Sequence, residues 1–108
     1  MNTIIAQKIN ELINKYDIII FMKGSREQPL CGFSNTVVQI MNNLSIPYHT
    51  VNILEDTQMR QGIKEYSNWP TIPQVYIRGK FIGGSDILIE QYQNKKLHEM
   101  VEIIKGSL

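Results

Sequence analysis

Five consecutive residues, Ile18-Ile19-Ile20-Phe21-Met22, offer no polar side chain to either side of an extended strand. Side chains alternate across a strand, so a run that is apolar at every position has to be covered on both faces. Such a run suits a buried central strand. The covers can be read from helical periodicity. Ile4, Ile5, Ile9, Leu12, Ile13 and Tyr16 predict an amphipathic helix over residues 3–15, capped by Asn2 or Thr3. Phe33, Val37, Met41 and Leu44 mark a second helix, ended by Asn42-Asn43 and Pro47. Tyr48 to Ile53 has strand character, and Asp56 or Thr57 caps a third helix with Met59, Ile63 and Tyr66 on one face. Pro70 and Pro73 stop that helix. Gln74–Ile77 and Lys80–Ile82, joined by Arg78-Gly79, read as a hairpin. Gly83-Gly84-Ser85-Asp86 then leads into a last helix holding Leu97, Met100, Val101 and Ile104. The order helix, strand, helix, strand, helix, hairpin, helix implies an α/β fold: a mixed sheet with helices on both faces and one right-handed parallel crossover. In such sheets ligands bind at the carboxyl ends of the strands, and Cys31 lies just past one.

The chain has 108 residues, 43% of them hydrophobic and 19% charged, and no linker or repeat, so residues 1–108 read as one domain. Eleven basic against ten acidic residues leave a net charge of +1, too little for a phosphate-binding surface, so nucleic acid is not an expected partner. Nor is a membrane, since the longest apolar run is Ile18–Met22, far below the roughly 20 residues of a spanning helix. The N-terminus lacks the basic and apolar stretches of a secretion signal, and no arginine precedes Arg26. The lone Cys31 forbids an internal disulfide. Together these predict a mature protein of a reducing compartment, a bacterial cytoplasm or an organelle interior.

Cys31-Gly32-Phe33-Ser34 stands between the first strand and the second helix. A helix N-terminus favours thiolate over thiol, and Lys23 adds a positive charge at the start of the same loop. Thiolates attack disulfides and ligate soft metals. Ser34 occupies the position that a second cysteine would take in a dithiol pair, so the chemistry must be monothiol.

Phe21-Met22-Lys23-Gly24, Pro29-Leu30-Cys31-Gly32-Phe33-Ser34, Arg60-Gln61-Gly62-Ile63-Lys64, Trp69-Pro70-Thr71-Ile72-Pro73-Gln74-Val75-Tyr76 and Gly83-Gly84-Ser85-Asp86 occur in this order. Over nearly its whole length the chain thus resembles the monothiol glutaredoxins of the Cys-Gly-Phe-Ser (CGFS) type. That resemblance implies a four-stranded thioredoxin fold that binds glutathione and, as a homodimer, a bridging 2Fe-2S cluster used in iron-sulfur assembly and transfer. It also implies apo iron-sulfur proteins as recipients and BolA-family proteins as heterodimer partners. Ile72-Pro73 becomes a candidate cis bond, which would present the Ile72 backbone to the cysteinyl part of glutathione as an added strand does. Lys23 and Arg60 are the expected partners of the glycyl carboxylate, with Lys64 a weaker candidate one turn on. The Ser85 and Asp86 amides at a helix start suit the other carboxylate, and the Asp86 side chain suits the ligand's ammonium as well as an N-cap role. A 2Fe-2S centre takes four ligands. Two chains supply two thiolates from Cys31, so glutathione must supply the other two. His49 and His98 have no spacing to Cys31 that suggests a metal site, and Trp69 and the five methionines read as packing.

Two positions depart from the family pattern. Arg26 stands where many members have proline, which predicts a looser loop or added positive charge near Cys31. Ser85 stands where many have a second cysteine, so no disulfide with Cys31 can form. A competing activity uses the same residues: a glutathione-dependent oxidoreductase with Cys31 as nucleophile.

Overall fold

In the computed structural model, which describes residues 2–107, Ile18–Met22 is strand β1 and is buried at all five positions. Around it the chain runs α1 (Thr3–Lys15), β1, α2 (Gly32–Asn43), β2 (His49–Asn52), a 3-10 turn (Ile53–Glu55), α3 (Thr57–Ser67), β3 (Gln74–Ile77), β4 (Lys80–Gly83), α4 (Ser85–Gln93) and α5 (Lys96–Gly106). The sheet order is β2-β1-β3-β4. β1 pairs parallel with β2 and antiparallel with β3, which pairs antiparallel with β4.

Alternation along β1 divides the core. Ile18, Ile20 and Met22 face Val37, Val38 and Met41 of α2, Leu88 of α4 and Leu97, Val101 and Ile104 of α5. Ile19 and Phe21 face Ile5, Ile9 and Ile13 of α1 and Met59 and Ile63 of α3. A fully buried aliphatic side chain contributes about 1.5–3 kcal/mol, so covering both sides makes β1 the anchor of the molecule. α1 and α3 cross closely because Gly62 leaves room for the Ile5 side chain.

The caps follow the expectation. The Asn2 side chain accepts from the Ile4 and Ile5 amides, and Asp56 accepts from the Met59 amide at 3.0 Å. Elsewhere the structure corrects the sequence reading. The second strand ends at Asn52, because the Asn52 carboxamide accepts the Leu54 N–H at 3.1 Å and turns Ile53 into the 3-10 turn. The expected last helix is two helices. Lys95 adopts a left-handed conformation at φ 71°, and the Asn94 side chain caps the Lys96 amide at 3.0 Å, starting α5 afresh. Phe33, expected on the buried face of α2, is 62% exposed. Among the described residues no helix is long and apolar enough to cross a membrane.

Candidate functional site

β1 ends at Met22, and the next residues form a small loop tied back to the fold. The Leu30 N–H donates to the Lys23 carbonyl at 2.9 Å, and Gly24 bridges Pro29. Gly24 has φ +90°, and a Cβ there would lie 2.5 Å from the Gln28 carbonyl oxygen, so only glycine fits this turn. The Gly24 N–H donates to the Asn52 side chain at 3.0 Å. Arg26 makes the other tie: its Nη2 donates to the Tyr48 carbonyl at 2.6 Å, and its guanidinium lies 4.4 Å from the Tyr48 ring centroid. Arg26 therefore fastens the loop to β2. Against the looser loop expected of this substitution, Arg26 supplies a side-chain tie, and the charge acting on Cys31 is that of Lys23.

Cys31 is the N-cap residue of α2, with extended dihedrals, and its thiol is half-buried. The sulfur makes no formal capping hydrogen bond, yet the first-turn amides act on it. The Ser34 N–H lowers the thiol pKa most, helped by the Phe33 N–H, the Lys23 ammonium and the Ser34 hydroxyl, while burial opposes them; the net shift is downward. The expected direction is thus found, with the Ser34 amide ranking ahead of Lys23. Ser34 also holds the site together. It is fully buried, and its Oγ accepts the Lys23 N–H at 3.2 Å, joining the end of β1 to the first turn of α2.

Opposite the thiol, Trp69–Pro73 links α3 to β3. The Trp69 N–H donates to the Lys64 carbonyl at 3.1 Å, and Ile72-Pro73 is cis. The β1–β3 ladder begins at Gln74 opposite Phe21, so the Ile72 backbone lies beyond the paired region. Gly84 lies close to this segment; a Cβ there would stand 3.2 Å from the Pro73 carbonyl oxygen. α4 starts at Ser85 with Gly84 as its N-cap, so Asp86 sits one residue inside the helix and does not take the expected N-cap role.

These segments enclose a cavity of about 480 Å³ lined by Lys23, Cys31, Phe33, Lys64, Trp69, Pro70, Thr71, Ile72, Pro73, Gly84, Ser85, Asp86 and Ile87. Of the expected site residues, Lys23, Cys31, Ile72, Ser85 and Asp86 come together here. Arg60 does not line the cavity, and Lys64 does. The end of α3 that adjoins Trp69 carries Lys64, whereas the Arg60 N–H bonds the Asp56 carbonyl in the first turn. Trp69, read as packing, touches Phe81 at a ring-centroid distance of 5.7 Å and also forms part of the cavity wall.

The glutaredoxin family model matches residues 18–82, from β1 through β4. A monothiol glutaredoxin of Synechocystis sp. is 55% identical over 107 residues, covering 99% of this chain and all of that protein. The chain belongs to the monothiol glutaredoxins. The chloroplastic monothiol glutaredoxin-S14 of Arabidopsis thaliana is also 55% identical, over 94 residues that cover 87% of this chain and 54% of that protein. In three dimensions this glutaredoxin is similar to a buckwheat glutaredoxin solved in complex with glutathione. The TM-score is 0.82 at 25% identity, covering 92% of this chain and 88% of the other. The fold is the thioredoxin fold of that family.

His49 and His98 stay outside the cavity. The His49 ring stacks on Tyr16 at 3.9 Å, and burial, with Arg26 and Lys15 nearby, lowers its pKa. His98 lies against Tyr92. Sequence reasoning missed the roles of Ser34 and Gln74. Gln74 had a visible signal, a polar residue opening the otherwise apolar strand Gln74-Val75-Tyr76-Ile77.

Proposed function

We propose that this glutaredoxin binds glutathione in the Cys31 cavity and, as a homodimer, carries a bridging 2Fe-2S cluster for iron-sulfur assembly and transfer, with a part in redox homeostasis. The observation that carries the reading is the shared cavity: a thiolate-favouring Cys31 with Lys23, Lys64, the free edge at Ile72 and the first turn of α4. A tripeptide with two carboxylates and one ammonium matches those groups. Lys23 and Lys64 suit one carboxylate, the Ser85 and Asp86 amides the other, and the Asp86 side chain the ammonium.

The donor chemistry fits the cluster. Thiolate is its ordinary ligand, and Cys31 is held toward that form. Among the described residues no group of three or more His, Cys, Asp or Glu gathers to hold a metal, so each chain offers the one sulfur of Cys31. Two chains and two glutathione thiols complete four ligands. The cluster itself is the cargo, handed to apo iron-sulfur proteins, and a BolA-family protein can take the place of one protomer. The resemblance to bacterial and chloroplastic relatives suits a reducing compartment.

The lowered thiol pKa also favours a second reading, glutathione-dependent reduction. The Cys31 thiolate would attack the glutathione sulfur of a mixed disulfide, forming a Cys31–glutathione disulfide and releasing the target thiolate. A second glutathione thiolate would attack that bond, returning Cys31 as thiolate and leaving oxidised glutathione.

Anaerobic reconstitution with iron, sulfide and glutathione separates the readings. The carrier predicts a coloured species of dimer mass that requires both glutathione and Cys31. A colourless monomer that rapidly turns over glutathione mixed disulfides would replace it with the reductase.

A further inference from the structure

Gln74 opens β3 and is fully buried, and its carboxamide is spent on the wall of the cavity. Its Nε2 donates to the Trp69 carbonyl at 3.1 Å and to the Thr71 carbonyl at 3.3 Å. Its Oε1 accepts the Tyr76 hydroxyl at 3.3 Å, a contact wholly inside the core. Tyr76 is a firm anchor: burial pushes its pKa up to about 12, so it remains a neutral donor. A primary amide has two N–H donors, and here both serve one turn.

Peptide geometry links that turn to the ligand side. The Thr71–Ile72 bond is trans, and in a planar trans peptide the C=O and N–H point in opposite directions. Since the Thr71 carbonyl is turned inward to Gln74, the Ile72 N–H is turned outward, away from the buried amide. Thr71, Ile72 and Pro73 all line the cavity. We propose that Gln74 is a positioning residue for ligand binding, fixing the Thr71–Ile72 peptide so that the Ile72 N–H is presented to the bound peptide. Gln74 touches no ligand; it acts through the orientation of that peptide. The inference rests on the glutathione reading above.

The test is calorimetric titration of the full chain with S-methylglutathione, which cannot enter thiol exchange. Gln74→Met removes the donors and keeps the volume. Binding about tenfold weaker is expected, the size of one well-aimed hydrogen bond. For a glutathione mixed disulfide KM should rise while kcat holds, and the pH profile of Cys31 alkylation should stay in place, a split that general damage to the fold would not give. Equal affinity in a folded Gln74→Met protein overturns the proposal, as does a shift of the Cys31 profile in step with the lost affinity. No binding by the unaltered chain removes the glutathione reading and this inference with it. If Gln74→Met does not fold, Gln74→Asn decides the matter, because the shorter side chain keeps an amide but draws its donors back from the Trp69 and Thr71 carbonyls. Weaker binding supports the role, and unchanged binding overturns it.

Discussion

The Ser34 N–H acts on Cys31 more than the Lys23 ammonium does, and this ordering can be tested. Lys23→Gln is expected to raise the thiol pKa slightly and still leave it below that of an unstructured cysteine, as read from the rate of iodoacetamide alkylation against pH. The sign for stability follows. The folded-state pKa is the lower one, so the thiolate's contribution is fully present above the unfolded thiol pKa and is lost as pH falls through the folded value. Cys31→Ser should abolish both cluster retention and thiol turnover while moving the unfolding midpoint little, because a half-buried thiol contributes little to the core. The paired cationic positions give a sharper test. Lys64→Ala is expected to weaken glutathione binding more than Arg60→Ala, by calorimetry, since Lys64 lines the cavity. At this scale the sequence was legible where chemistry dictates residue type: a thiol at a helix start and a cation in the same loop. It was not legible between Arg60 and Lys64. Both lie on one helical face, and the choice depends on where Trp69 closes against α3.

Among the elements, the α1–α3 crossing has the least slack. Gly62→Ala would push a methyl group into the Ile5 side chain and should cost about 1–3 kcal/mol of stability in urea unfolding, without changing the thiol titration. The α4–α5 junction offers the opposite case. Lys95 holds a left-handed conformation at φ 71°, so Lys95→Gly should relieve strain and stabilise by about 0.5–1 kcal/mol, raising Tm. That junction also shows where periodicity fails as a guide. Ile87, Leu97, Val101 and Ile104 are all apolar at plausible helical intervals, and spacing alone gives no sign that Asn94 caps a new helix. Phe33 fails for a different reason. Its helical phase is right for the core, but it falls in the first turn of α2, which projects toward the cavity.

For the molecule as a whole, β1 carries the architecture and its uninterrupted apolarity made the two-sided cover readable. Neither pairing partner was readable from β1 alone, because hydrophobicity does not encode register; that is fixed when the parallel crossover and the hairpin dock. Acid stability should reflect the outer side of this sheet. His49, stacked on Tyr16, has a folded pKa below its ordinary 6.5, so unfolding free energy should decline as pH falls through 6.5 toward the folded value. Urea titrations of His49→Gln should show less of that decline. The tie from Arg26 to the Tyr48 carbonyl crosses the same region. A proline at position 26 would stiffen the loop in the unfolded chain as well as in the folded one. Arg26 can do so only after residue 48 has been made and has docked. During folding, then, this fastening of the loop ahead of Cys31 is a late one, closed only when Tyr48 has taken its place at the entrance to the second strand.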